Sequence, residues 1–101
     1  FGEGTWRYLT TPQLSPWQKT GIDWPQLKGY TYGNLLRVLE NPAACCTCVP
    51  AGEFGWDGWT GPYFCVSPED QTVLLYLVQV CGGSTSDIVT RLRNTTFGML
   101  G

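Results

Sequence analysis

The segment Gly52-Glu53-Phe54-Gly55-Trp56-Asp57-Gly58-Trp59-Thr60-Gly61-Pro62-Tyr63-Phe64 sets the smallest side chain beside the largest, again and again. Glycines interleaved with Trp56 and Trp59 suit a strand that a ligand or another backbone approaches closely, so the segment reads as the wall of a cleft. Equally, the tryptophans belong to a core and the glycines merely turn the chain. No histidine occurs anywhere, which excludes Ser-His, Cys-His and His-metal sites together. A hydrolase built on this chain alone is left with Ser-Lys or carboxylate chemistry. Its nearest match, Ser15 with Lys19, is one residue too widely spaced for a Ser-x-x-Lys box. Tyr32-Gly33-Asn34 fits a Tyr-x-Asn pattern by letters, but it lies in a strand-like run rather than a loop. Asn94-Thr95-Thr96 satisfies the glycosylation triplet on a predicted helix and carries little information.

Five cysteines fall short of the roughly 8–10% that marks a disulfide scaffold, and their odd number leaves one thiol unpaired within a monomer. Cys45-Cys46-Thr47-Cys48 resembles a metal knuckle, yet no second ligand pair stands at zinc spacing, so neither metal nor cofactor is expected. Cys65 and Cys81 lie in or beside apolar strand-like runs and are expected as small buried hydrophobes. Their redox state stays open, and with it the compartment.

Composition removes further classes. A chain that is 43% hydrophobic and 14% charged, with five Trp, five Tyr and four Phe, is globular rather than disordered. Six Lys and Arg against eight Asp and Glu give a net charge of −2 with no basic run, so no nucleic-acid partner is expected. The longest nearly apolar run, Val73 to Val80, is far shorter than the roughly 20 residues of a membrane helix. The chain opens on Phe1 with no leader pattern behind it, and it reads as one segment, residues 1–101, cut from something longer.

The elements that must position the cleft wall follow from local signals. Thr5 to Leu9 forms a helical turn or two, stopped by Pro12. Ser15-Pro16-Trp17-Gln18 is a capping-box pattern opening a brief helix closed by Gly21. Gly29 to Leu39, rich in aromatic and branched residues, reads as a strand with a bulge near Gly33, stopped by Asn41-Pro42. Ala43 to Gly52 is a loop, Phe54 to Ser67 a second strand region, and Thr72 to Val80 a third strand buried on both faces. Ser84, Ser86 and Asp87 offer N-caps for a last helix on which Ile88, Val89, Leu92 and Thr96 share one side. The fold class is α+β: an antiparallel sheet of three strands, short N-terminal helical pieces and a C-terminal helix. One helix covers only one sheet face, so the other should be covered by further chain or by a second copy.

One resemblance is carried by an ordered set of residues: Leu14-Ser15-Pro16, Gly21-Ile22-Asp23-Trp24-Pro25, Gly29-Tyr30-Thr31-Tyr32-Gly33, Arg37-Val38-Leu39, Asn41-Pro42, Gly52 to Gly58, Gly61-Pro62-Tyr63-Phe64 and Pro68-Glu69. Together they resemble the C-terminal part of the serine β-lactamase-related hydrolases: class C β-lactamases, their esterase relatives and D-aminopeptidase-like enzymes. The resemblance implies a portion of the β-lactamase/transpeptidase-like fold. It implies that Trp56-Asp57-Gly58 stands where the family has Lys-Thr-Gly, or Trp-x-Gly in esterase members, and binds substrate. It implies that Trp59 offers its backbone N–H to an oxyanion, where such a donor is worth about 3–4 kcal/mol of barrier. With Trp56 in place of a cation, a substrate carboxylate loses its anchor and a small uncharged ester or amide is favoured. The family's nucleophilic Ser-x-x-Lys and Tyr-x-Asn elements belong to earlier chain. The expectation is therefore a fragment, inactive alone, completed by the rest of a hydrolase chain. A rival expectation is a self-contained β-rich binding module, disulfide-linked, presenting Trp56, Trp59 and Tyr63.

Overall fold

Local hydrogen bonds mark where the first helix ends and where the second begins. The computed structural model describes residues 1–22, 24–83 and 86–100, with α1 at Glu3–Thr10 and α2 at Pro16–Lys19. The capping box of α2 is complete: Gln18 N–H donates to Ser15 Oγ at 3.3 Å, and Ser15 N–H donates to Gln18 Oε1 at 2.8 Å. At the end of α1 the Thr10 and Thr11 hydroxyls turn back onto the carbonyls of Trp6 and Arg7, a local competition that favours termination there.

The sheet has five antiparallel strands in sequential order, not three: β1 Tyr30–Tyr32, β2 Arg37–Leu39, β3 Phe54–Asp57, β4 Tyr63–Ser67 and β5 Thr72–Tyr76. The difference arises because two runs expected as single strand regions are hairpins. Gly33 to Leu36 turns the chain between β1 and β2, with Gly33 N–H donating to the Leu36 carbonyl at 2.9 Å and Leu35 at φ 73°. Gly33 and Asn34 therefore sit in a turn rather than a strand. Between β3 and β4, Gly58 N–H donates to the Pro62 carbonyl at 2.8 Å while Gly61 takes φ 109°.

Strand register sorts the side chains onto two faces. On one, Tyr30, Leu39, Tyr63 and Cys65 pack with Val49 against Val89 and Phe97 of α3, Asp87–Gly98. On the other, Val38 and Phe54 are covered at the β1–β3 end by the N-terminal segment, where Trp6 meets Phe54 edge-on at 5.3 Å and Asn34 N–H donates to the Leu9 carbonyl. Among the described residues the same face has no comparable cover over β4 and β5: Val73 and Leu75 are 66% and 60% exposed.

This overturns the expectation that Val73 to Val80 is one strand buried on both sides. Pairing stops at Tyr76, with Leu74 and Tyr76 turned to the core. The chain then folds over the β3–β4 turn, Val80 and Gly82 N–H donating to the carbonyls of Thr60 and Trp59. The helix stripe also differs: the buried line of α3 is Val89, Arg93 and Phe97, while Ile88 is exposed. Ser86 sits at the N-cap but donates to Gly83 instead of capping, and Ser84 lies outside the described residues.

Cys65 is buried as expected, but Cys81 is exposed, because the apolar strand ends well before it. No sulfur is bonded to another. Asn94 serves the fold: its Oδ1 accepts from Thr47 Oγ1 at 2.8 Å and Cys48 N–H at 3.2 Å, pinning the cysteine loop to α3. Among the described residues no His, Cys, Asp or Glu group is arranged to hold a metal ion, and no helix is long and apolar enough to cross a membrane.

Candidate functional site

Arg37 is the residue around which the site is built. It stands on β2 opposite Gly55 of β3, and with no side chain at 55 the guanidinium can reach across β3 toward β4. There it lies 4.8 Å from the centre of the Tyr63 ring and 5.6 Å from that of Tyr30, within the range of a cation–π contact. Its Nη1 donates to Asp57 Oδ1 in an ion pair, and Nη2 lies 3.5 Å from the Phe64 carbonyl. Arg37 is almost wholly enclosed, whereas the Asp57 side chain is 31% exposed.

Above this pair opens a cleft of about 540 Å³, within the usual size range for a small-molecule site. Trp24, Tyr32, Trp56 and Trp59 line it, with Leu27 and Gly82 also bordering it. Tyr32 and Trp56, from β1 and β3, meet at 5.9 Å with their rings tilted 55°. The two tryptophans of the glycine-rich segment are thus surface residues, Trp56 45% and Trp59 83% exposed. The glycines split by role. Gly55 is where a backbone comes close: a Cβ there would lie 2.1 Å from the Phe64 carbonyl oxygen. Gly58, half-buried, holds the turn. Trp59 N–H donates to no acceptor among the described residues, while its carbonyl accepts from Gly82 N–H at 2.8 Å.

Trp56, Asp57, Gly58 and Trp59, singled out in the sequence, therefore stand together at one end of β3. The sequence reading missed Arg37, Trp24 and Tyr32 as cleft residues, since Trp24 is far along the chain and Arg37 reads as an ordinary strand cation. It also missed a second polar cluster beneath α3. Tyr30 O–H donates to Glu53 Oε2 at 2.8 Å, and Arg93 Nη1 donates to Tyr30 Oη at 2.5 Å and to Tyr63 Oη at 3.3 Å. Glu53 is completely buried, with Oε1 lacking any partner among the described residues. The one sequence signal was a glutamate placed directly before an apolar strand.

Burial pushes the Glu53 carboxyl above its ordinary value, against the opposing Tyr30 hydrogen bond and the charges of Arg37 and Arg93. The same burial raises the Tyr63 hydroxyl to about 12 and the Cys65 thiol to about 11, so Cys65 is no nucleophile at neutral pH. For Glu53 the raised folded value means that the folded state holds the proton more tightly than the unfolded state. Its stabilising contribution is fully present below the ordinary 4.5 and is lost as pH rises through the folded value. Urea midpoints measured from pH 4 to 8 should fall for the native chain relative to Glu53→Gln, which cannot titrate. A difference curve that stays flat, or rises with pH, would remove the desolvation argument.

No family model matches the sequence, and no curated protein is significantly similar to it.

Proposed function

We propose that the chain is the C-terminal portion of a serine hydrolase of the β-lactamase-like class, of esterase or amidase type. It would supply one wall of the active site and a backbone donor, while the nucleophile and its base come from chain outside these residues. The observation that carries this reading is Trp59 N–H: an amide with no acceptor among the described residues, on a residue bordering an aromatic cleft. A donor of that kind, fixed before the reaction, is what a developing oxyanion requires. The serine attacks the ester or amide carbonyl, the oxyanion is held by Trp59 N–H, the leaving group departs, and water releases the acyl group.

The uncovered apolar face over β4 and β5 supports the same reading, since Val73 and Leu75 are placed to pack against neighbouring chain. A second reading, a binding module using its aromatic surface, is favoured by the exposure of Trp24, Trp56 and Trp59.

The test is to read the gene upstream of Phe1 and express the longer protein. A fluorophosphonate probe should label a serine before residue 1, within a Ser-x-x-Lys box. Trp59→Pro, which deletes the N–H, should slow turnover of a chromogenic ester by about 10²–10³. Residues 1–101 alone should turn over neither this ester nor a chromogenic β-lactam. An upstream sequence with no such box, or serine-reactive turnover by the isolated chain, would overturn the reading.

A further inference from the structure

The charged pair at the base of the aromatic cleft has the form of an anion site already filled from within. Arg37 is fixed independently of any ligand, by the Tyr30 and Tyr63 rings, by the Phe64 carbonyl and by its register opposite Gly55. A guanidinium held in this way is a ready partner for a carboxylate, whose two oxygens match its fork of donors. The carboxylate that takes the place is Asp57, two residues along β3 from Gly55 and partly open to the cleft. Among the described lining residues, Arg37 and Asp57 alone carry charge, and their charges cancel.

This balance discriminates among ligands. A carboxylate entering the cleft meets the partly exposed Asp57 charge and finds the enclosed cation already occupied. An uncharged flat group meets no such penalty and can stack on Trp24, Tyr32 and Trp56.

We infer that Asp57 is the built-in occupant of an anion site formed by Arg37, so that the cleft favours uncharged flat ligands over carboxylates and would accept a carboxylate once the Asp57 carboxylate is removed. This deepens the proposed function by naming a substrate class. It rests on the cleft being the ligand site, but not on a nucleophile.

Benzamide and benzoate, alike in shape and different in charge, are the probes, titrated against residues 1–101 by tryptophan fluorescence. The native chain should bind benzamide at least about tenfold more tightly than benzoate, and Asp57→Ala should reverse the preference by a similar factor. Benzoate should also raise the thermal midpoint of Asp57→Ala, and benzamide should not. The double variant Arg37→Gln/Asp57→Ala should lose the gain for benzoate. If Asp57→Ala does not fold, Asp57→Asn, which keeps a hydrogen-bonding group over Arg37 but sheds the charge, should lose the discrimination against benzoate. Equal binding of the two probes by the native chain, no gain for benzoate in either Asp57 variant, or no binding of either probe to any form would overturn the inference. Serine labelling in the longer protein decides the hydrolase reading separately, because neither probe needs a nucleophile to bind.

Discussion

Gly55→Ala should unfold the chain or come close to it. Its Cβ would lie 2.1 Å from the Phe64 carbonyl oxygen and 2.9 Å from the Cys65 Cα, both backbone atoms of β4 that cannot rotate away. Relief requires β3 and β4 to part along the register Phe54–Val66 to Asp57–Tyr63, in the middle of the sheet. A methyl group there also crowds Arg37, whose Nη2 approaches the same Phe64 carbonyl. We expect a loss of about 4–5 kcal/mol or more, in the range reserved for severe steric conflicts. A domain of this size has only about 5–15 kcal/mol in total. Gly52→Ala is the instructive comparison. Gly52 has open space around its Cβ position but sits at φ 93°, so only backbone strain opposes the methyl, at about 1–2 kcal/mol. Urea denaturation of the two variants should separate them clearly. A Gly55→Ala protein within about 1 kcal/mol of native would show that the strands part at little cost.

That contrast also marks how far the sequence could be read. A glycine among tryptophans announces a close approach, but it does not say of what. At Gly55 the visitor is the neighbouring strand, and the cleft-facing side of the segment is formed by Trp56 and Trp59 instead. The capping box of α2 was legible because all its information lies within four residues. The hairpin between β1 and β2 was not, because Leu35, at φ 73°, occupies a position where glycine or asparagine would have signalled the turn. In β5 both parities are apolar, so Leu74 and Tyr76 in the core cannot be distinguished by type from exposed Val73 and Leu75. With both parities apolar, the pattern carries no information on which side of β5 faces the core.

The site was half legible for a related reason. Trp56 to Trp59 are adjacent in sequence and could be found together. Their partners come from elsewhere: Trp24 before the sheet, Tyr32 on β1 and Arg37 on β2. Asp57 read by itself is an added negative charge in a substrate wall. Read with Arg37, it is half of an ion pair, and the charges of the described lining residues cancel.

Arg93→Met should cost about 3–5 kcal/mol, although methionine fills much of the arginine's volume and keeps its contact with the core. Arg93 projects from the buried line of α3, between Val89 and Phe97, where a helix pattern calls for an aliphatic residue. It is tolerated because Tyr30 and Tyr63 accept from Nη1 and because Glu53, bonded to Tyr30, supplies a negative charge when ionised. Without the cation, Glu53 is left with less compensation in a site that already raises its carboxyl. The loss should therefore be largest once pH has risen through the raised folded value of Glu53 and shrink as pH falls through it, since the protonated carboxyl no longer needs Arg93. Adding Glu53→Gln to Arg93→Met should recover part of the stability at a pH above the folded value of Glu53, and the two substitutions should be far from additive there, as expected for groups in one network. A pH-independent loss with additive behaviour would mean that Arg93 acts through packing alone, and that the charge beneath α3 is borne by Arg37.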